Sequence, residues 1–105
     1  MDKWTFLTNH GHVFLCLAGD PAIRLRDVAD KVGITERAAQ RIVANLQSEG
    51  YITTERVGRR NRYVLHPDVP LRHPIEGHSA VGVLLRLLAH QKRKTRAKPA
   101  PTASR

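Results

Sequence analysis

Cysteine is almost missing from this chain of 105 residues: Cys16 stands alone, so no intramolecular disulfide can form. It lies in the apolar run Val13-Phe14-Leu15-Cys16-Leu17 and reads as a small core residue. Aromatic side chains are few as well, limited to Trp4, Phe6, Phe14, Tyr51 and Tyr63. The core they build is small, which leaves room for stabilisation by a partner chain. No stretch approaches the roughly 18 apolar residues that cross a bilayer, and Met1-Asp2-Lys3-Trp4 does not read as a secretory leader. The expected compartment is the cytoplasm. The chain also lacks a glycine-rich phosphate loop, a Ser/His/Asp spacing and paired carboxylates in an apolar setting, so no enzyme and no cofactor is expected.

Six histidines are present, but their spacing is poor for a metal. His10 and His12 are two apart and cannot share a helix face, and His73 and His78 are separated by Pro74. No metal site is expected.

Basic charge is abundant: 18 Lys and Arg against 9 Asp and Glu leave a formal charge of +9. Its distribution matters more than its sum. Residues 91–105 contain Lys92, Arg93, Lys94, Arg96, Lys98 and Arg105 with no acid, so only +3 of that charge belongs to residues 1–90. The 91–105 segment has no bulky apolar residue and reads as a disordered basic tail. One compact domain is expected over 1–90.

Helical spacing of His10, Val13, Phe14 and Leu17 after Thr8-Asn9 predicts a helix over about 9–18, stopped by Gly19-Asp20-Pro21. Ala22–Leu25 could add one short strand. Leu25, Val28, Ala29 and Val32 then predict a second helix, ended by Gly33. Thr35 offers a fresh N-cap, with Glu36 at the positive end of a third helix whose buried stripe is Ala39, Ile42, Val43 and Leu46. Residues 51–57 and 62–66 are rich in β-branched and aromatic side chains, and Gly58-Arg59-Arg60-Asn61 joins them as a hairpin with a basic tip. A last helix is expected from Pro74 to about residue 90. On it Val81, Leu84, Leu85 and Leu88 would cover the domain's own core, leaving Val83 and Leu87 in need of another surface.

The order α-(β)-α-α-β-β-α, mainly helical with a small β-hairpin, resembles the winged helix-turn-helix of MarR-like and ArsR-like bacterial regulators over residues 5–90. Its most specific portion runs from Leu25 to Ile52. There Ala29, Gly33, Thr35, Leu46, Gly50, Tyr51 and Ile52 match the pattern of close helix approach, tight turn, cap and lead into the wing. Arg24 departs from it, standing where Ser or Thr would commonly cap the second helix.

The resemblance implies double-stranded DNA as partner, with the helix at about 35–49 in the major groove and the wing at 58–62 on the backbone or in a minor groove. The residues agree with it. Arg37 and Arg41 can bond guanine O6 and N7, and Gln40 can pair with adenine N6 and N7. Thr35, Glu36 and Asn45 suit phosphates or capping. Arg59, Arg60, Asn61 and Arg62 form the basic wing. A homodimer is expected through the last helix, with Val83, Leu84, Leu87 and Leu88 in the interface and the first helix and the Trp4–Leu7 segment alongside. The alternative function is a winged helix serving protein interaction or non-specific architectural DNA binding.

Overall fold

A computed structural model describes residues 4–89 of the chain. In chain order they form α1 (Asn9–Gly19), α2 (Leu25–Val32), α3 (Glu36–Ser48), β1 (Ile52–Val57), β2 (Arg60–Leu65) and α4 (Gly82–Leu84), which continues as a π-helical turn over Leu85–Ala89. The basic tail expected at 91–105 lies outside the described residues.

The first three helices end where their residues dictate. Gly33, at φ 87°, closes α2 in a left-handed conformation, and both Gly33 and Ile34 donate to the Ala29 carbonyl at 2.8 and 3.0 Å. Two residues later the Thr35 hydroxyl accepts from Ala38 N–H at 3.0 Å and caps α3. The turn between α2 and α3 is thus fixed from both sides. The buried positions of α1 (Val13, Phe14, Leu17), α2 (Val28, Ala29) and α3 (Ala39, Ile42, Leu46) face one another, and Ile23, Tyr51, Ile52, Tyr63 and Val81 complete the core. Cys16 is half-buried at its margin.

Three expectations need correction. The strand at Ala22–Leu25 does not form. The segment does reach the sheet, since Tyr63 N–H donates to Pro21 O at 2.9 Å. An antiparallel rung there would need a return bond from Pro21, which has no N–H, and the next N–H along, that of Ile23, is spent on Asp20 O at 3.0 Å, so the ladder stops after half a rung.

The hairpin connection is two residues rather than four. β1 and β2 pair antiparallel from Ile52↔Leu65 to Val57↔Arg60, leaving only Gly58-Arg59 outside the register. Gly58, at φ 63°, supplies the left-handed backbone that so tight a turn requires, and Arg60 and Asn61 become strand residues.

The last helix begins at Gly82 instead of Pro74. Residues 67–81 form a strap folded back on itself: Pro70 bridges Ala80, Leu71 N–H donates to Ser79 O at 3.0 Å, and Val81 N–H donates to Val69 O at 2.8 Å. Ile75 is 78% exposed and is followed by Glu76, Gly77, His78 and Ser79, so a helix there would have no apolar stripe to bury. Val81 is the first residue that enters the core. Leu84 and Leu85 pack against it, but Leu88 does not: it is exposed with Leu87 and joins the outward set.

Candidate nucleic-acid interface

The burial of Ala39, Ile42 and Leu46 fixes the rotation of α3 about its axis, and therefore which residues it presents to solvent. At about 100° per residue, Arg37, Arg41, Ala44 and Ser48 lie within roughly 40° of one line opposite that stripe. All four are exposed. Gln40 lies about 60° to one side of Arg37 and Asn45 about 80° to the other. The two flanks meet different neighbours. On the Gln40 side, Thr54 of β1 donates its hydroxyl hydrogen to Gln47 Oε1, which marks this flank as the one next to the wing. On the other, Asn45 hydrogen-bonds His10 Nε2 of α1 at 3.0 Å.

Among the described residues, the side chains of Arg37, Gln40 and Arg41 make no hydrogen bond or ion pair. The one ion pair there is Arg72 with Glu49 at 3.7 Å, well exposed and of small energetic weight. Glu36 stands in the first turn of α3, where its carboxylate complements the helix dipole, and Thr35 is the cap. Asn45 is drawn to α1, where it ties the two helices together.

The wing projects beyond the core. Register places Arg62 opposite Glu55, Asn61 opposite Arg56 and Arg60 opposite Val57, with Arg59 in the turn. Residues 55–62 are all exposed. Arg59 and Arg62 have no protein partner among the described residues. Arg60 does: its guanidinium Nη2 donates to Ala22 O at 2.6 Å. Arg56 Nε donates to Gly58 O at 3.4 Å, at the first residue of the turn. Arg56 is a wing cation that sequence reasoning passed over, because a four-residue loop put it far from the tip. Counting back from a two-residue turn would have found it.

Behind α3, a groove of about 590 Å³ opens between the start of α1 and the strap, with Phe6, Phe14, Tyr51, Leu71 and Leu84 among its walls. The Tyr51 hydroxyl donates to Pro70 O at 2.6 Å. Burial pushes this phenol above its ordinary pKa, the carboxylates of Glu49 and Glu76 add to the rise, and Arg72 opposes it. Several histidines are engaged locally: His12 with Asn9, His66 with Thr53, and His73, whose Nδ1 accepts from Ile75 N–H. Among the described residues, no three His, Cys, Asp or Glu side chains are grouped to hold a metal ion. Nor is any helix there long and apolar enough to cross a membrane.

A family model described as winged helix-turn-helix, DNA-binding, matches residues 9–53. That span covers α1, α2, the turn, α3 and the start of the wing. Among solved structures, the chain is similar to MepR, a transcription regulator of the Staphylococcus aureus multidrug efflux pump MepA. The TM-score is 0.56 at 14% identity, over 89% of this chain and 65% of that one. It is also similar to the PcaV transcriptional regulator from Streptomyces coelicolor, with a TM-score of 0.51 at 20% identity over 88% of this chain and 63% of that one. The chain thus spans just under two thirds of either regulator's length. No curated protein matches it by sequence. The capped turn between α2 and α3, the hairpin after it and these two likenesses agree, and in fold the chain is a winged helix-turn-helix protein.

Proposed function

We propose that this protein is a DNA-binding transcriptional regulator that works in the cytoplasm as a homodimer and carries out no catalytic step. One observation carries the reading: Arg37, Gln40 and Arg41 stand exposed on the solvent face of a core-anchored helix with no partner among the described residues, beside a wing whose Arg59 and Arg62 are equally unengaged there. A major groove about 12 Å wide admits such a helix, and bidentate arginine contacts to guanine together with an amide contact to adenine discriminate base pairs. Thr35 and Glu36 hold the amino-terminal end of the helix in shape for this task. The wing cations act on phosphate or in a neighbouring minor groove.

Arg37→Ala or Arg41→Ala should weaken binding to a selected DNA site by about 1–3 kcal/mol and relax its sequence preference. Binding is measured in parallel on random DNA. An equal loss on both would reduce these residues to backbone contacts.

The dimer reading rests on the end of the described chain, where Leu87 is 68% and Leu88 41% exposed while Leu84 and Leu85 lean on the core. Trp4 and Phe6, packed edge to face at 5.1 Å, are exposed too. With Val83 and Leu84 these residues would form a two-fold contact that sets two recognition helices one DNA turn apart, about 34–36 Å. Sedimentation of the intact protein at micromolar concentration decides. A monomeric mass defeats the dimer, whereas a dimer lost on Leu87→Glu without unfolding places the contact on this helix.

A further inference from the structure

Arg60 is the wing cation that the structure sets apart. The Pro21-Ala22 segment runs beside β2 and presents two successive carbonyls to the hairpin. Pro21 O receives the backbone N–H of Tyr63 at 2.9 Å, and Ala22 O receives the guanidinium of Arg60 at 2.6 Å. The acceptor is held in place. Ala22 N–H donates to Asp20 Oδ1 at 3.2 Å, Ile23 N–H donates to Asp20 O at 3.0 Å, and the Ile23 side chain is buried. No other group among the described residues donates to Ala22 O.

A third strand would ordinarily hold the base of the hairpin by a ladder, but Pro21 has no N–H with which to continue one. The half rung at Tyr63, the buried Tyr63 ring and the Thr54–Gln47 bond hold the base of the hairpin, and among the described residues they leave its outer part, residues 55–62, without a backbone bond to the rest of the fold. A charged donor reaching the next carbonyl supplies the second point that defines an angle, and charge-assisted bonds are stronger than neutral ones.

We propose that Arg60 is a wing-positioning residue: its guanidinium fixes the angle of the hairpin by bonding the Ala22 carbonyl, and Arg59 and Arg62 are the wing cations that meet DNA. The proposal rests on the DNA-binding reading above, and the experiment separates the two. Arg59→Met, Arg60→Met and Arg62→Met are compared for binding to random-sequence duplex DNA over a range of salt concentrations. Hydrogen exchange at the Tyr63 amide is followed in each free protein.

Arg59→Met and Arg62→Met should each shallow the salt dependence by about one unit of slope and leave Tyr63 exchange unchanged. Arg60→Met should leave the slope as it is, weaken binding several-fold at every salt concentration, and speed Tyr63 exchange several-fold. A loss of affinity at constant slope in a folded protein is the signature of a misplaced wing; a residue that only added stability would not produce it. A slope reduced by one unit in Arg60→Met, with or without faster exchange, overturns the proposal, as does unchanged Tyr63 exchange. If the unmodified protein binds no duplex DNA, the functional reading fails, and Tyr63 exchange alone decides whether Arg60 holds the wing.

Discussion

Along α3 every third or fourth side chain is sunk in the core, with Ala39 fully buried and Ile42 and Leu46 nearly so, whereas no residue of the wing from Glu55 to Arg62 is buried. On the proposed DNA-binding reading, the two regions would make different kinds of contact. Reading a base edge demands that a side chain be held to within a fraction of an ångström, and rigid elements do this better than projecting ones. Tracking a phosphate row tolerates motion, because its energy comes from charge. The helix is accordingly packed, capped and bonded on both flanks, while the wing beyond Tyr63 hangs on its own ladder and one arginine.

The contrast can be broken most severely at Leu46. Leu46→Ala removes a buried side chain from α3 and should destabilise the fold by about 2–5 kcal/mol, read from urea unfolding. A cost below 1 kcal/mol would mean that α3 is not held by its stripe. Loss of the cap is a smaller insult: Thr35→Ala should cost about 1 kcal/mol, and Thr35→Asn, which keeps an acceptor, should restore most of it.

Tyr51, just after α3, tests the joint between helix and strap. Tyr51→Phe removes the bond to Pro70 and should cost about 0.5–1.5 kcal/mol. Because the folded phenol titrates above the unfolded one, near 10, its contribution is complete below pH 10 and is lost as pH rises through the raised folded value. The phenylalanine variant should therefore show a shallower loss of stability on the alkaline side. Identical alkaline profiles would show that Tyr51 titrates alike in both states. The smallest effect is expected on the wing, where Val57→Ala should change stability by less than about 0.5 kcal/mol. A larger loss would reveal packing at the tip.

The helix-turn-helix half was readable from residues because its signals are local. Gly33, Thr35 and Glu36 mark the turn and the cap within four positions, and the 3.6-residue period exposes Arg37, Gln40 and Arg41 without knowledge of any partner. The wing and strap were harder, since what decides them lies far away in sequence. Whether Ala22–Leu25 pairs depends on Pro21 meeting Tyr63. Whether a helix starts at Pro74 depends on Leu71 and Val69 capturing the backbone of Ser79 and Val81. The partners of Asn45 and Arg60 sit 35 and 38 residues away. No periodicity announces them.

The register of the hairpin also governs how this wing could change length. One residue inserted into each strand between the base and the Val57↔Arg60 pair would keep the base of the ladder but turn Arg60 to the opposite face, away from Ala22, since side chains alternate with a period of two. Two residues inserted there would restore the facing but carry Arg60 outward by about 7 Å, out of line with the Ala22 carbonyl. Length that keeps the Arg60 bond must therefore enter outside the Val57↔Arg60 pair, so the wing gains reach beyond a fixed anchor rather than by moving it.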